Sequence, residues 1–241
     1  MKFDFKGKLV LITGGSKGIG KQLVDDFIKL NAKVISTSTQ VTKNKNKKNL
    51  VLENLDFNNS QSINYFINKI KKIKKIDVLI NNAGVNKINS VNDVNLSDWE
   101  KIQNVNIKGP ILLTKEISKI MMKKKSGKIV NISSIFGVIS KEKRSLYSAS
   151  KSALLGLTRA SALDLAKYNI LVNSVSPGFV HTSLTSKILG KKGMKEITKE
   201  IPIGRMAKTK DISSLIIYLC SSQNSYITGQ NFVIDGGVTC K

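Results

Sequence analysis

A short apolar segment runs into a glycine-rich turn in the stretch Lys8-Leu9-Val10-Leu11-Ile12-Thr13-Gly14-Gly15-Ser16-Lys17-Gly18-Ile19-Gly20. The apolar segment predicts a strand over 8–13, and the amphipathic pattern after the turn predicts a helix that ends near Leu30. A glycine-rich turn between a strand and a helix lets the backbone approach a pyrophosphate, which the helix N-terminus attracts. The stretch therefore predicts a dinucleotide site with the spacing Gly-x-x-x-Gly-x-Gly.

Strands and helices alternate along the rest of the chain. Further strands are predicted at 32–37, 50–55, 76–80, 128–132, 171–175 and 232–235, with helical patterns between most of them. This alternation predicts an α/β fold: a single-domain, doubly wound (Rossmann) parallel sheet of about seven strands with helices on both faces. The length of 241 residues suits one catalytic domain over 1–241. Within it, the long segment 182–205 is expected to form a substrate lid.

The end of the second predicted strand indicates which nicotinamide cofactor binds. Sites for NAD place an Asp or Glu there, whereas sites for NADP offer basic and hydroxyl groups to the 2′-phosphate. Residues 35–39 contain serine and threonine but no acid, and Lys17 lies in the glycine turn. The sequence therefore favours NADP (NADPH) over NAD.

Tyr147 and Lys151 lie four residues apart at the start of an apolar helix predicted from Tyr147 to Lys167. This spacing places both side chains on one face of a helix, so the ammonium is expected near the phenol. A neighbouring cation favours the phenolate and is expected to lower the pKa of Tyr147 from its ordinary value of about 10. Such a pair is suited to passing a proton to and from a carbonyl or alcohol oxygen.

A second helix is expected to begin at Ser97, with Ser97 as its cap and Glu100 at the capping-box position. Asn106 falls inside this helix, between two apolar residues. A polar residue at such a place is either a satisfied core amide or a carbonyl that holds a water for proton relay. The sequence leaves both interpretations open.

The composition and net charge indicate which kinds of partner the protein could bind. A formal net charge of +24 raises the question of nucleic-acid or membrane binding. The lysines are spread along the whole chain, however, and 37 of the 40 basic residues are lysine, so we interpret the charge as a solvated surface. We expect no nucleic acid, no membrane and a cytoplasmic location, because no apolar run reaches membrane-spanning length. Cys220 and Cys240 lack metal-ligand spacing, and no metal site is expected.

Together these motifs resemble the short-chain dehydrogenases/reductases over essentially the whole chain. The matching stretches are 13–20, 81–84, Asn106, Ser134 with Tyr147 and Lys151, Pro177-Gly178, and 227–230. The subgroup that they resemble most is the bacterial 3-oxoacyl-[acyl carrier protein] reductases. The resemblance implies an NADPH-dependent oxidoreductase that reduces a ketone to a secondary alcohol by hydride transfer.

The resemblance also implies a role for each site residue. Tyr147 is expected to be the acid/base and Ser134 to orient the carbonyl, with Ser133 a competitor that the thirteen-residue spacing to Tyr147 disfavours. Lys151 is expected to bind the nicotinamide ribose and Asn106 to hold a relay water. The residues expected to contact the cofactor are Gly14, Ser16, Lys17, Gly18, Ile19, Gly20, Thr39, Asp56, Asn82, Ala83, Gly84, Tyr147, Lys151, Pro177, Gly178, Val180 and Thr182.

Two places depart from the acyl-carrier reductases and leave the substrate open. Carrier docking in that group uses paired basic residues near the active-site mouth; Lys125 matches one position, but Tyr168 stands at the other, beside Lys167. The loop 140–145 carries three cations. They favour a small anionic ketone or alcohol, such as a sugar or a nucleotide-linked sugar. The alternative is that these cations reflect only the high lysine content of the chain on an exposed loop.

The helix that begins at Tyr147 bears on assembly. It is apolar nearly all round, so one face must cover the sheet while another needs burial. In the resembled family that surface packs against a partner subunit. The sequence therefore predicts a homotetramer, or at least a dimer.

Overall fold

Seven parallel strands form the central sheet in the computed structural model, which describes residues 3–40 and 48–241. The strand order is β3-β2-β1-β4-β5-β6-β7, and every neighbouring pair is parallel. The predicted doubly wound α/β fold is confirmed. The strands are β1 (Leu9–Ile12), β2 (Lys33–Ser38), β3 (Leu50–Asn54), β4 (Val78–Asn81), β5 (Gly127–Ile132), β6 (Ile170–Pro177) and β7 (Asn231–Ile234).

Helices cover both faces of the sheet. They are α1 (Gly18–Lys29), α2 (Ser60–Lys71), α3 (Leu96–Gln103), α4 (Gly109–Lys124), α5 (Ser145–Ala166), α6 (Ser183–Glu200) and α7 (Thr209–Cys220). Alternate residues of β1 serve two apolar cores, since side chains alternate across a strand. Val10 and Ile12 pack with α1 and α7, whereas Leu11 packs with residues of α2 and α4. Both faces are therefore buried, as a parallel sheet requires.

The predicted cap at Ser97 is wrong, because Asn95 takes that role. The side-chain oxygen of Asn95 accepts a hydrogen bond from the backbone N–H of Asp98 (2.9 Å), and α3 begins at Leu96. Ser97 donates its hydroxyl to the same oxygen (3.0 Å). Asparagine and serine are equally good N-caps, and here the helix uses Asn95, the earlier of the two. The long helix is also divided, since a π-helical turn over Asn104–Lys108 separates α3 from α4.

The segment 182–205 consists largely of α6. Thr182 caps this helix by accepting from the backbone N–H of Thr185 (3.2 Å), and Gly190 interrupts it with a φ of 62°. An ion pair between Lys141 and Glu200 (3.7 Å) joins its end to the loop before α5. His181 and Met194 line a pocket of about 570 Å³ beside α6.

The order of strands reverses between β1 and β4, because β2 and β3 extend to one side of β1 and the remaining strands extend to the other. Ligands of open α/β sheets bind in the crevice at the carboxyl ends of the strands, at this switch point. The loops that leave β1, β4, β5 and β6 meet at that edge. Across residues 3–40 and 48–241, no helix is long and apolar enough to cross a membrane.

Candidate active site

The glycine turn after β1 is held against the loop after β4. The hydroxyl oxygen of Thr13 accepts from the backbone N–H groups of Asn82 (3.0 Å) and Ala83 (2.9 Å). In return, the side-chain amide of Asn82 donates to the carbonyls of Thr13 (2.9 Å) and Gly14 (3.1 Å). Two stretches that the sequence predicts as cofactor contacts thus form one unit, and the Asn82 side chain braces the turn itself.

The turn leaves no room for a side chain where it meets α1. A Cβ atom on Gly20 would lie 2.3 Å from the carbonyl oxygen of Gly14 and 2.5 Å from the amide nitrogen of Asn82. Lys17 is the N-cap residue of α1, but its side chain forms no capping hydrogen bond, and the first turn of α1 contains no acidic residue. The open N–H groups and positive end of this helix fit a pyrophosphate. Thr182 also reaches the turn, because a Cβ on Gly18 would lie 3.4 Å from its methyl carbon.

The backbone of Val180 offers a second point of fit for a nicotinamide cofactor. Its neighbours are engaged, since the Phe179 carbonyl accepts from Ala207 (2.9 Å) and the His181 N–H donates to Ala207 (2.8 Å). Val180 is buried, yet its own N–H and C=O have no hydrogen-bond partner among the described residues. One free donor and one free acceptor match a carboxamide, which carries both.

The other expected cofactor residues lie along the same edge of the sheet. Thr39 follows β2 and is exposed, as are Ser16 and Lys17 in the turn. Asp56 follows β3, and its carboxylate accepts from the backbone N–H of Asn58 (2.9 Å). Gly178 follows β6 and donates its N–H to Ile234 (2.8 Å). The parallel sheet thus collects these positions, which are far apart in sequence, on one side of the molecule.

Ser134, at the end of β5, lies close enough to Tyr147 for its side chain to act on the phenol. Tyr147 lies in the first turn of α5, and its ring packs edge-on against Phe136 with 6.4 Å between centroids. The neighbouring Ser133 donates its hydroxyl to the carbonyl of Lys151 (2.9 Å). Ser134, the serine expected from the spacing, is therefore the one whose side chain faces the phenol.

Lys151 is almost fully buried, with 3% of its surface exposed. Its Nζ atom donates to the carbonyl of Ile132 (2.8 Å) and lies 5.6 Å from the centroid of the Tyr147 ring. Burial lowers the pKa of Lys151 to about 8. A Cβ atom on Gly84 would lie 3.4 Å from this ammonium, so the loop after β4 borders it.

The pKa of Tyr147 is shifted in the direction opposite to the sequence-based expectation. Burial raises it above the ordinary value of 10.0, and this effect outweighs two opposing ones. Those opposing effects come from the Ser134 side chain and from the positive charge of Arg144, not from Lys151. Lys151 directs its ammonium to a backbone carbonyl instead. In this state Tyr147 therefore carries its proton at neutral pH.

Asn106 is fully buried in the π-helical turn. Its amide nitrogen donates to the Val85 carbonyl (2.9 Å) and the Ser150 hydroxyl (3.0 Å), and its amide oxygen accepts from the Val85 N–H (2.9 Å). The satisfied-amide interpretation thus describes the side chain. Asn106 joins the loop after β4 to α5, close to Tyr147.

A family comparison decides the class of protein. Residues 14–239 match the model of a family described as enoyl-(acyl carrier protein) reductase, within the short-chain dehydrogenases/reductases. This chain is a short-chain dehydrogenase/reductase. As a member of that family it is an NAD(P)-dependent oxidoreductase.

Similar proteins include curated bacterial reductases. The 3-oxoacyl-[acyl-carrier-protein] reductase of Aquifex aeolicus is 33% identical over 248 aligned residues, covering 99% of this chain and 100% of the relative. The corresponding enzyme of Thermotoga maritima is 35% identical over 245 residues, covering 97% of this chain and 98% of the relative. The expected resemblance to these reductases is confirmed.

Two similar solved structures contain different cofactors. ElxO with bound NADP has a TM-score of 0.89 and 34% identity, covering 97% of this chain and 99% of the other. A 4-hydroxyisoleucine dehydrogenase complexed with NADH has a TM-score of 0.91 and 34% identity, covering 98% and 100%. The likeness extends to nicotinamide cofactors in general and does not separate NADP from NAD.

The short-chain dehydrogenase/reductase site includes one residue whose place the sequence did not indicate. Arg144 lies three residues before Tyr147, and its guanidinium stacks over the ring of Phe136 at 5.7 Å from the centroid. Its charge acts directly on Tyr147. The signal available in sequence was the i, i+3 spacing between Arg144 and Tyr147, which places neighbours together at a helix start.

The two positions that the resemblance associates with carrier docking lie away from the catalytic residues of the same subunit. Lys125 precedes β5 and Tyr168 precedes β6, so both lie at the amino edge of the sheet. Ser134 follows the other end of β5, and six residues of strand span about 20 Å. These two positions therefore lie at the amino edge of the sheet, opposite the carboxyl edge where the catalytic residues of the same chain lie.

Proposed function

We propose that this short-chain dehydrogenase/reductase uses NADPH to reduce a 3-oxoacyl thioester to the 3-hydroxyacyl thioester. The observation that carries the proposal is the pairing of Ser134 with Tyr147 beside the edge where the glycine turn lies. The curated relatives, which are 3-oxoacyl-[acyl-carrier-protein] reductases, supply the substrate class.

Each residue of the site has a part in this reaction. When bound, NADPH supplies the hydride to the carbonyl carbon. Tyr147, which holds its proton at neutral pH, donates that proton to the carbonyl oxygen, and Ser134 steadies the same oxygen with its hydroxyl. Lys151 provides a buried positive charge beside the phenol and is proposed to bind the nicotinamide ribose. Asn106 holds the loop after β4 against α5, and its proposed relay water stays a prediction.

The proposed preference for NADPH is supported by the chemistry of the β2 end. No acid stands at 36–40, where an NAD site would use one to bind the ribose hydroxyls. Thr39 and Lys17 are both exposed at this edge and can meet a 2′-phosphate with a hydroxyl and an ammonium.

The exposed surface of α5 supports the proposed homotetramer. Leu163 on α5 is 82% exposed, and Ile111 on the adjacent α4 is 43% exposed. Burial of apolar side chains such as these against a second copy would favour association. We also propose that α6 closes over the substrate as a lid, and that the enzyme works in the cytoplasm as a single catalytic domain.

A second candidate substrate is a small anionic ketone. The loop 140–145 before Tyr147 carries three cations, and it lines a pocket of about 390 Å³. Positive charge at this place favours a substrate that carries a negative group.

Turnover of coenzyme A thioesters tests the proposed reaction. We expect oxidation of NADPH with acetoacetyl-coenzyme A and none with crotonyl-coenzyme A, a pair that separates ketone reduction from the enoyl reduction named in the family description. Oxidation of NADPH with the enoyl thioester alone would contradict ketone reduction. Turnover of a small oxo acid without turnover of acetoacetyl-coenzyme A would favour the second candidate.

A further inference from the structure

Arg144 carries a charge that nothing in the described part of the protein neutralises. The Nε and Nη1 atoms of its guanidinium are buried and have no hydrogen-bond partner there. The adjacent Ser145 hydroxyl is buried and unpartnered as well. Three polar atoms on consecutive residues therefore lack the partners that buried polar atoms ordinarily have.

The acids at this loop do not supply those partners. Glu142 is exposed and lines the same pocket, yet it forms no ion pair with Arg144 among the residues described. Glu200, at the end of α6, pairs with Lys141 instead (3.7 Å). Two guanidinium nitrogens buried without partners are costly, since they have lost water without gaining a hydrogen bond. An oxyanion delivered by a ligand would remove this cost.

The position of Arg144 connects it to the reacting group. It lines the pocket of about 390 Å³ together with Ser145. Its guanidinium also lies over Phe136, whose ring contacts that of Tyr147. The charge is close enough to act on the Tyr147 phenol. A group bound by Arg144 would therefore lie within a small molecule's length of a carbonyl held at Tyr147.

We propose that Arg144 and the Ser145 hydroxyl bind an oxyanion of the substrate, a carboxylate in the simplest case, a few bonds from the ketone. This inference rests on the second candidate of the proposed function, reduction of a small anionic ketone, and it specifies the substrate class as small oxo acids or phosphorylated ketones. The guanidinium matches such oxygens because its planar donors fit carboxylate and phosphate.

Matched substrates with one ketone test the proposal. Acetoacetate carries a carboxylate, whereas acetoacetyl-N-acetylcysteamine presents the same ketone as a neutral thioester. For Arg144→Gln we expect kcat/KM with acetoacetate to fall about 30-fold or more, chiefly through KM, because one partner of a buried charge pair is lost. The neutral thioester should change far less, and Arg144→Lys should restore part of the loss with acetoacetate. Lys123→Gln, a change at an exposed cation on α4 that does not line this pocket, is the control and should leave the ratio of the two substrates unaltered.

Dihydroxyacetone phosphate beside dihydroxyacetone separates phosphate from carboxylate as the bound oxyanion. An equal loss for charged and neutral substrates in Arg144→Gln would overturn the proposal, because Arg144 would then act only through Tyr147. Turnover of the neutral thioester with no turnover of either anionic ketone would overturn it as well.

Binding provides a readout that does not depend on turnover. We expect calorimetry of the wild-type enzyme with NADP to detect 3-hydroxybutyrate, and the signal to disappear in Arg144→Gln. Absence of binding to the wild type, or equal binding to the variant, would overturn the role of Arg144. Failure to reduce any ketone while 3-hydroxybutyrate binds through Arg144 would instead contradict the proposed reaction.

Discussion

The Nζ atom of Lys151 lies 5.6 Å from the ring centroid of Tyr147 and donates its hydrogen bond to the carbonyl of Ile132 (2.8 Å). The ammonium therefore sits over the ring and is held by the backbone at the end of β5. Burial of both residues shifts their pKa values toward the neutral forms, upward for the phenol and downward to about 8 for the ammonium. The site keeps a protonated phenol beside a lysine that titrates slightly above neutral pH.

The pH dependence of ketone reduction follows from these directions. Reduction needs the Tyr147 proton, which is retained well above neutral pH, and it needs the positive charge of Lys151. We expect kcat/KM for reduction to stay level near pH 6–7 and to fall as the pH rises through about 8, where Lys151 loses its proton. Initial rates in constant-ionic-strength buffers from pH 6 to 10 measure this. A level profile up to pH 10 would show that the charge of Lys151 is not needed.

Removal of the buried charge should stabilise the protein while impairing it. Because the pKa of Lys151 is depressed from 10.5 to about 8, the unfolded chain binds more protons between these values, and the free energy of unfolding rises with pH across that window. At pH 7 the full burial penalty applies, so Lys151→Met should raise the free energy of unfolding by about 1–3 kcal/mol. Denaturant unfolding at pH 7 measures this.

The stability gain predicted for Lys151→Met can be checked with a control variant and by its dependence on pH. Lys123→Met, at an exposed position on α4, should change the free energy of unfolding by less than about 0.5 kcal/mol. The advantage of Lys151→Met should shrink as the pH rises from 8 toward 10.5, because the wild-type protein gains stability there. A variant less stable than the wild type at pH 7 would mean that the hydrogen bond to Ile132 outweighs the burial penalty.

Gly20 should tolerate no side chain, whereas Gly156 should accept one. A Cβ on Gly20 would lie 2.3 Å from the Gly14 carbonyl, so Gly20→Ala must displace the turn that is proposed to bind the pyrophosphate. We expect NADPH affinity, measured by fluorescence titration, to fall more than about 10-fold. Gly156 lies in α5 with no atom within 4 Å of an added Cβ, and Gly156→Ala should stabilise the protein by up to about 1 kcal/mol. Unchanged NADPH affinity in Gly20→Ala would separate this turn from the cofactor.

An acid at the end of β2 should reverse the cofactor preference. Thr39→Asp would place a carboxylate where the 2′-phosphate of NADPH is proposed to lie, and like charges repel. We expect the KM for NADPH to rise about 10-fold or more while the KM for NADH stays level or falls. Thr39→Asn, which is polar without charge, is the control. A wild-type enzyme that already prefers NADH would contradict the assignment.

Much of the fold was predictable, because its signals are local. Strand and helix periods identify the elements, and alternation of the two implies a parallel sheet. The N-cap of α3 was predicted at the wrong residue because Asn95 and Ser97 are both good caps. Only the folded backbone shows which of them the helix uses. The π-helical turn around Asn106 depends on contacts with Val85 and Ser150, which are remote in sequence.

The candidate site was predictable as a set of residues but not as an electrostatic environment. Spacing brought Tyr147 and Lys151 to one helix face, yet the direction of the Tyr147 pKa depends on burial by the whole fold. Arg144 was one of three cations in a loop, and the sequence gives no sign that two of its guanidinium nitrogens would be buried without a partner. Such properties arise from long-range packing, which single-sequence patterns do not contain.

The most direct test of the account is the rate of NADPH oxidation with acetoacetyl-coenzyme A by the wild-type enzyme and by Tyr147→Phe. We predict that the variant loses about 10²- to 10⁴-fold in kcat, because the general acid is removed. Its affinity for NADPH should remain within about 2-fold, since the ring and its packing on Phe136 are preserved. Wild-type turnover in Tyr147→Phe would contradict the central claim that this phenol donates the proton.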